Sequence, residues 1–317
     1  MFRGLNFIPP NTRLPFMRTR MIAFVVSAVM TVGSLLLVAV KGLDYGIDFK
    51  GGILMEVRFD KPADVAGLRA KVGGLGLGDV ALQEFGAPTE VLIRVERQEG
   101  DQKAQEQAVE KVKTAIGPGA EYRRVEFVGP QVGKELFREG IIAIVLALAG
   151  IMVYIWFRFE WKFGVCAIAA ELHDVISTIG LFSLFGLEFN LTTVAAILTI
   201  AGYSINDTVV VFDRVRENLR KYKTMPLIEL FDLSINETLS RTIITGGTTL
   251  LALIALLIFG GPVIRDFTIA LLFGICVGTY SSVCFAVPLL LYMKLDRHSM
   301  MVADKDTEGR TAAPRSP

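Results

Sequence analysis

The chain alternates between long apolar runs and polar stretches, and the length of each run decides what it can be. Six runs are long enough to cross a hydrocarbon core of about 30 Å as helices: residues 21–40, 139–157, 163–185, 189–212, 242–261 and 267–293. The first has about 20 residues, whereas the apolar part of a secretory leader has roughly 7 to 15. It is followed by Lys41-Gly42-Leu43-Asp44, which does not resemble a small-residue cleavage site, so it reads as a retained span. Residues 41–138 change period. Strands are predicted over 53–59, 80–85, 90–95 and 121–128 and helices over 62–72 and 102–116, the order βαββαβ of the ferredoxin-like split motif. The alternation Val91-Leu92-Ile93-Arg94-Val95, with turn residues Gly86-Ala87-Pro88 before it, carries the central hairpin. The predicted fold class is an α-helical polytopic membrane protein of six transmembrane helices with one inserted α+β domain.

Composition agrees: 52% of the 317 residues are hydrophobic and the mean hydropathy is +0.50. A net charge of +1 offers no field for a nucleic-acid partner. Cys166, Cys276 and Cys284 lie inside apolar runs without ligand spacing, which argues against disulfides and zinc.

The placement of charge matters more than its sum. The loop 186–190 has no Lys or Arg, while residues 1–20 carry Arg3, Arg13, Arg18 and Arg20. The loop after the second run has Arg158 and Lys162, and the 213–241 connection has Arg214, Arg216, Arg220, Lys221, Lys223 and Arg241. Positive charge collects on the side of both termini, which the positive-inside rule makes cytoplasmic. The domain at 41–138 is then periplasmic. Within 213–241 a short interfacial helix is expected, with Pro226 in its first turn, Thr224 as its cap, and Leu227, Leu230, Phe231 and Ile235 against the bilayer. Residues 294–317 read as a disordered tail.

Ionisable groups inside apolar runs are costly, roughly 2.5 to 3.5 kcal/mol on insertion scales, and each needs a partner, water or a task. Asp207, beside Asn206, interrupts the fourth run six residues before Asp213, about 9 Å inward of that charged edge. Arg241, at the start of the next run, is the expected partner for its carboxylate. Thr199, Tyr203 and Asp207 recur every four residues with Ser204 alongside, a polar stripe that suits a proton relay. The bland alternative is interhelical hydrogen bonding. Glu171, His173 and Asp174 sit midway along the third run, too far apart in angle for one metal site; titration and structural hydrogen bonding stay open for them. Gly46, Asp48, Gly51 and Gly52 on entry to the polar domain, and Gly129 and Gly133 on exit, suit a hinge or a pair of tight turns. Metalloprotease, serine-hydrolase and phosphate-loop motifs are absent, so no enzyme is expected.

The run from Gly202 to Arg214 (GYSINDTVVVFDR), preceded by EFNLTTVAAILT from Glu188, resembles the fourth span of the SecF family of bacterial protein-export subunits. Asn236 to Thr242 (NETLSRT), the stretches 46–52 and 128–133, and His173-Asp174-Val175 are similar to the same family. The resemblance implies half of an assembly like the resistance-nodulation-division transporters, in the bacterial inner membrane. It implies partnership with SecD, association with SecYEG and YajC, and action on an exported polypeptide after the SecA step. It also implies protons as the coupling ion, no other cofactor, and a proton path through the positions of Asp207 and Arg241. Asn206, Tyr203, Ser204, His173, Asp174 and Asp213 complete the candidate path. A passive scaffold, or an exporter half for small molecules or lipids, are the competing expectations.

Overall fold

The computed structural model describes residues 12–293 except Asp79, Asp101, Pro262 and Val263. The expected disordered tail, 294–317, and most of the N-terminal segment lie outside the described residues. Six long apolar segments form the bundle: α1 (Arg20–Lys41), α5 (Pro130–Arg158), α6 (Trp161–Phe185), α7 (Leu191–Lys221), α8 (Leu227–Phe259) and a sixth composite helix. The sixth runs as α9 (Arg265–Ser281), a π-helical stretch Ser282–Ala286, and α10 (Val287–Tyr292). The wider turn falls just before Pro288, whose ring and missing N–H do not fit an uninterrupted α-helical ladder. The chain is a multi-pass membrane protein. Its interior is built from α6, α7 and α9, while α1, α5 and α8 turn large apolar side chains such as Val25, Leu146 and Leu251 outward.

The polar domain is one antiparallel sheet of β2 (Gly52–Phe59), β3 (Val80–Phe85), β4 (Ala87–Val95) and β5 (Ala120–Val128), in the order β3-β4-β2-β5. This is the ferredoxin-like arrangement with α3 (Val65–Gly73) and α4 (Gln102–Ile116) on one face. Alternation explains it: Ile53, Met55 and Val57 on β2 and Val91, Ile93 and Val95 on β4 all bury against Val72, Val109 and Val112. The turn between β3 and β4 is tight, Phe85 pairing with Ala87, and Gly86 supplies the positive φ of 81° it requires.

Below the sheet the entry segment is fastened to the bundle. β1 (Asp44–Tyr45) pairs in parallel with β6 (Glu188–Phe189), between α6 and α7, and one helical turn, α2 (Ile47–Lys50), follows. Ile47 packs under Leu54 and Leu92 on the sheet's second face. Tyr45, Phe49, Phe137 and Phe189 form an aromatic cluster with centroids 5.4 to 6.3 Å apart, edge-to-face except for the tilted pair Phe49–Phe189.

The 213–241 connection differs from expectation. There is no separate interfacial helix: α7 continues to Lys221, and α8 starts at Leu227 and passes unbroken into the fifth span. Pro226 precedes the helix instead of entering its first turn, and Thr224 is not its cap. Leu230, Phe231 and Ile235 are fully enclosed by protein, beside Met17 and Leu219, and do not rest on lipid. The N-terminal segment docks on the same extension, with Met17 N donating to Asp232 Oδ1 at 2.8 Å and Leu14 N to Asn236 Oδ1 at 2.9 Å.

Candidate functional site

Two carboxylates inside the bundle have opposite surroundings. Asp174, on α6, is fully buried at the meeting point of α6, α7 and α9. Its Oδ2 accepts from Ser204 Oγ of α7 at 2.6 Å and from Ser281 Oγ of α9 at 2.7 Å. Its Oδ1 lies 2.9 Å from His173 Nδ1, so adjacent residues touch although their Cα–Cβ bonds diverge. The imidazole is stacked on Phe285 at 5.5 Å, which fixes the ring, and its Nε2 is buried without a partner among the described residues. Glu171, one turn away, is also enclosed, with Oε1 unpartnered among the same residues. The helices approach this closely because α9 carries Gly278: a Cβ there would stand 2.9 Å from Ser204 Oγ and 3.5 Å from Asp174 Oδ2.

Asp207 is different. It is half-buried on α7, and Oδ1 accepts from Thr242 Oγ1 of α8 at 2.7 Å, while Oδ2 is buried without a partner among the described residues. The expected direct pair with Arg241 is not formed among the described residues. The contact with the carboxylate is taken instead by its neighbour Thr242. The reason is helical geometry: successive positions diverge by about 100°, so Thr242 faces α7 and the exposed Arg241 turns away.

The polar stripe on α7 splits for the same reason. Tyr203 OH donates to Thr249 Oγ1 of α8 at 3.5 Å, Ser204 reaches Asp174, and Thr199 Oγ1 returns to Ala195 O. Asn206 faces out of the bundle. Asp213 belongs to a separate surface contact, an ion pair with Arg158 at 2.7 Å. The structure thus gathers His173, Asp174 and Ser204 in one cluster and leaves Asp207 and Tyr203 on another face. Ser281 and Thr242 were not singled out from sequence. The small-residue pattern Gly274-x-x-x-Gly278 before Ser281 is a readable signal of close helix approach.

The glycine-rich brackets also divide. Gly46 N donates to Phe189 O at 3.0 Å, and Asp48 Oδ2 accepts from Leu191 N at 3.0 Å, so both are tied to the bundle. Gly133 permits close packing, since a Cβ there would lie 2.8 Å from Phe49 O. Gly51 and Gly52, with φ of 74° and 136°, and Gly129 stand at the joints between sheet and bundle. Across this boundary Arg94 of β4 bridges Glu188 and Asp44, the latter at 3.3 Å. Burial pushes the Glu188 carboxyl above its ordinary range, Arg94 opposes the shift, and Asp44 and Asp266 add to it.

With this geometry in view, residues 108–296 match the family described as "Protein export membrane protein SecD/SecF, C-terminal", and residues 36–63 match the "SecD/SecF GG Motif". The chain belongs to the SecD/SecF family. A SecF protein translocase subunit from Cereibacter sphaeroides is 47% identical over 92% of this chain and 93% of its own length. A Thermus thermophilus SecDF structure, described as a translocon-associated membrane protein, is 37% identical with a TM-score of 0.83, covering 91% of this chain. A SecDF structure in a super-membrane-facing form, also 37% identical, gives 0.67 over 93%. The chain spans 40% of each SecDF chain and nearly the full length of the SecF relative. The matched second segment contains Gly51 and Gly52, the glycines at the joint below the sheet.

Proposed function

We propose that this chain acts in protein export by using proton movement through Asp207 to shift the sheet domain relative to the bundle, together with a SecD subunit. The observation that carries this reading is the half-satisfied carboxylate: one oxygen of Asp207 is held by Thr242 and the other has no protein partner, beside the outward-facing Asn206 and Arg241. Polar groups presented sideways at membrane depth call for a second membrane protein to cover them. Both SecDF structures that the chain resembles are longer than it, the chain spanning two-fifths of each, which supports a SecD part as the covering partner. In this reading both termini are cytoplasmic, the sheet domain is periplasmic, and the membrane is the bacterial inner membrane. SecYEG and YajC are neighbours, SecA drives the earlier step, and the exported chain is the cargo.

Asp174 serves a different purpose. With its oxygens filled by His173, Ser204 and Ser281 it locks α6, α7 and α9 together. Moving one charge through about 100 mV releases about 2.3 kcal/mol, a roughly fifty-fold bias on a two-state equilibrium. The two SecDF relatives are equally identical in sequence yet fit this chain with TM-scores of 0.83 and 0.67, which supports more than one arrangement of the shared fold. The Asp207–Thr242 bond favours the alternative of a passive scaffold, in which the carboxyl is a helix contact only. Proton-gradient-driven export into vesicles separates the two. Asp207→Asn keeps the Thr242 bond and is expected to abolish gradient-dependent export, with Arg241→Met lowering it severalfold. Wild-type rates in Asp207→Asn would leave only the scaffold.

A further inference from the structure

At the end of the bundle away from the sheet domain, α5 and the outer turns of α7 enclose an open cleft of about 550 Å³. Arg158, Arg216, Arg220 and Lys221 line it, with Asp213 and Glu217. Both carboxylates already have cations: Asp213 pairs with Arg158 at 2.7 Å, and Glu217 with Arg214 from outside the cleft. Four cations against two carboxylates leave the lining at +2. Arg216 is fixed in place by donating to Arg158 O at 3.2 Å. Immediately beside Arg158, the end of α5 and the start of α6 carry Trp156, Phe157 and Trp161, which are 71%, 90% and 60% exposed. Tryptophan in such a position marks the headgroup level of a bilayer. The lining charge therefore starts at the depth of the aromatic collar, at Arg158, and runs about 10 Å outward along α7 to Arg220 and Lys221, so contacts for a phosphate lie above contacts for its acyl chains.

We infer that this cleft binds the headgroup of an anionic phospholipid, with the phosphate against Arg220 and Lys221 and the acyl chains along Phe157 and Trp161. A diphosphate lipid such as cardiolipin matches the excess charge of the lining. The site is independent of proton coupling: Asp207 lies six residues deeper along α7 than Asp213, which rims the cleft.

The test is native mass spectrometry of the full chain released from nanodiscs of zwitterionic lipid containing graded cardiolipin. Wild type is expected to retain cardiolipin in preference to the zwitterionic lipid. A cation near an anionic headgroup is worth on the order of fivefold in binding, so Arg220→Gln with Lys221→Gln lowers retention about 25-fold. Neutralising Lys134 and Arg138, at the sheet-domain end, is the matched control and leaves retention unchanged. Trp161→Ala lowers retention of the lipid with charge intact, which a purely ionic site would not show. Circular dichroism and gel filtration confirm that each variant folds. Equal retention by wild type and the Arg220/Lys221 variant overturns the proposal. Displacement of cardiolipin by millimolar inorganic phosphate also overturns it, since the cleft is then a general anion site; so does preference for an acidic peptide over lipid.

Discussion

Replacing Asp174 with alanine removes the acceptor for three side chains at once. The site is completely enclosed, so no solvent replaces what is lost: His173 Nδ1, Ser204 Oγ and Ser281 Oγ are the groups affected. Ser281 has a fallback, because its hydroxyl is also 3.0 Å from Gly278 O. Ser204 and His173 have none shown, and a buried orphan costs about 1 to 3 kcal/mol, which gives about 2 to 6 kcal/mol for the pair. Interhelical hydrogen bonds measured within membranes average about 0.6 kcal/mol, so the lower half of that range, about 2 to 4 kcal/mol, is the expected loss. At roughly 2 °C per kcal/mol for a chain of this size, thermal unfolding in detergent falls by about 4 to 8 °C. Asp174→Asn retains an oxygen for the two serines and offers its amide to His173 in the other tautomer, so it loses about 1 kcal/mol or less. Asp207→Asn, which preserves the Thr242 contact, shifts unfolding by about 1 °C or less. If Asp207→Asn destabilised the chain as much as Asp174→Ala, the distinction between a lock and a titrating group would be refuted. An Asp174→Ala variant that unfolded at the wild-type temperature would refute it as well.

Further outcomes follow from the same geometry. Gly278→Ala drives a methyl against Ser204 and costs about 1 to 3 kcal/mol of stability in detergent unfolding; Ser204→Gly in the same chain relieves the clash but removes a hydroxyl from the Asp174 lock, so it restores only part of the loss. Glu188, raised by burial in the docked arrangement, binds a proton more readily there than when solvated. Docking of the sheet domain therefore tightens as pH falls from the raised value to the ordinary carboxylate range and is flat outside that window. Distances between spin labels on the two parts should report this, and Glu188→Gln should remove the dependence. Asp48→Ala deletes the acceptor for Leu191 N and costs about 1 kcal/mol. Gradient-driven export is expected to fall several-fold in that variant while proton uptake at Asp207, followed by infrared difference spectroscopy, is retained.

The sheet domain was legible in the sequence because its burial follows a period of two: Ile53, Met55 and Val57 announce both a strand and the face it hides. The connection after Asp213 was not, and the reason is physical. Leu230, Phe231 and Ile235 at helical spacing describe an apolar face, but the pattern is the same whether lipid or another helix covers it. Only the neighbours Met17 and Leu219 decide in favour of protein. Asp174 and Asp207 stood out as expensive groups, yet their partners lie 30, 107 and 35 residues away in Ser204, Ser281 and Thr242. Pairing Asp207 with Arg241 followed charge, whereas the fold followed rotation about the α8 axis and brought in the adjacent threonine.

The remaining step is how an event at Asp207 reaches the other end of the molecule. Helix α7 supplies a continuous path: it is 31 residues with no proline, and from Asp207 back to Leu191 it extends about 24 Å. At that end Asn190 caps the helix with a reciprocal bond to Thr193, and Asp48 accepts from Leu191 N. Glu188, two residues before the cap, is bridged by Arg94 to the sheet. A rigid rod held at its far end by Arg214 to Glu237 at 2.7 Å cannot shift at its middle without loading these contacts. In the proposed reading, proton binding at Asp207 weakens a charge-assisted bond to Thr242 on α8, which changes how α8 sits against α7, while the Asp174 lock pins α7 to α6 and α9 at Ser204. In that reading the movable partner is α8, and α7, tied to it by Arg214–Glu237, carries the load toward the sheet domain by tilting about the Asp174 lock. The joint at Gly51 and Gly52, free of the positive-φ penalty other residues pay, is where we propose that this strain becomes rotation.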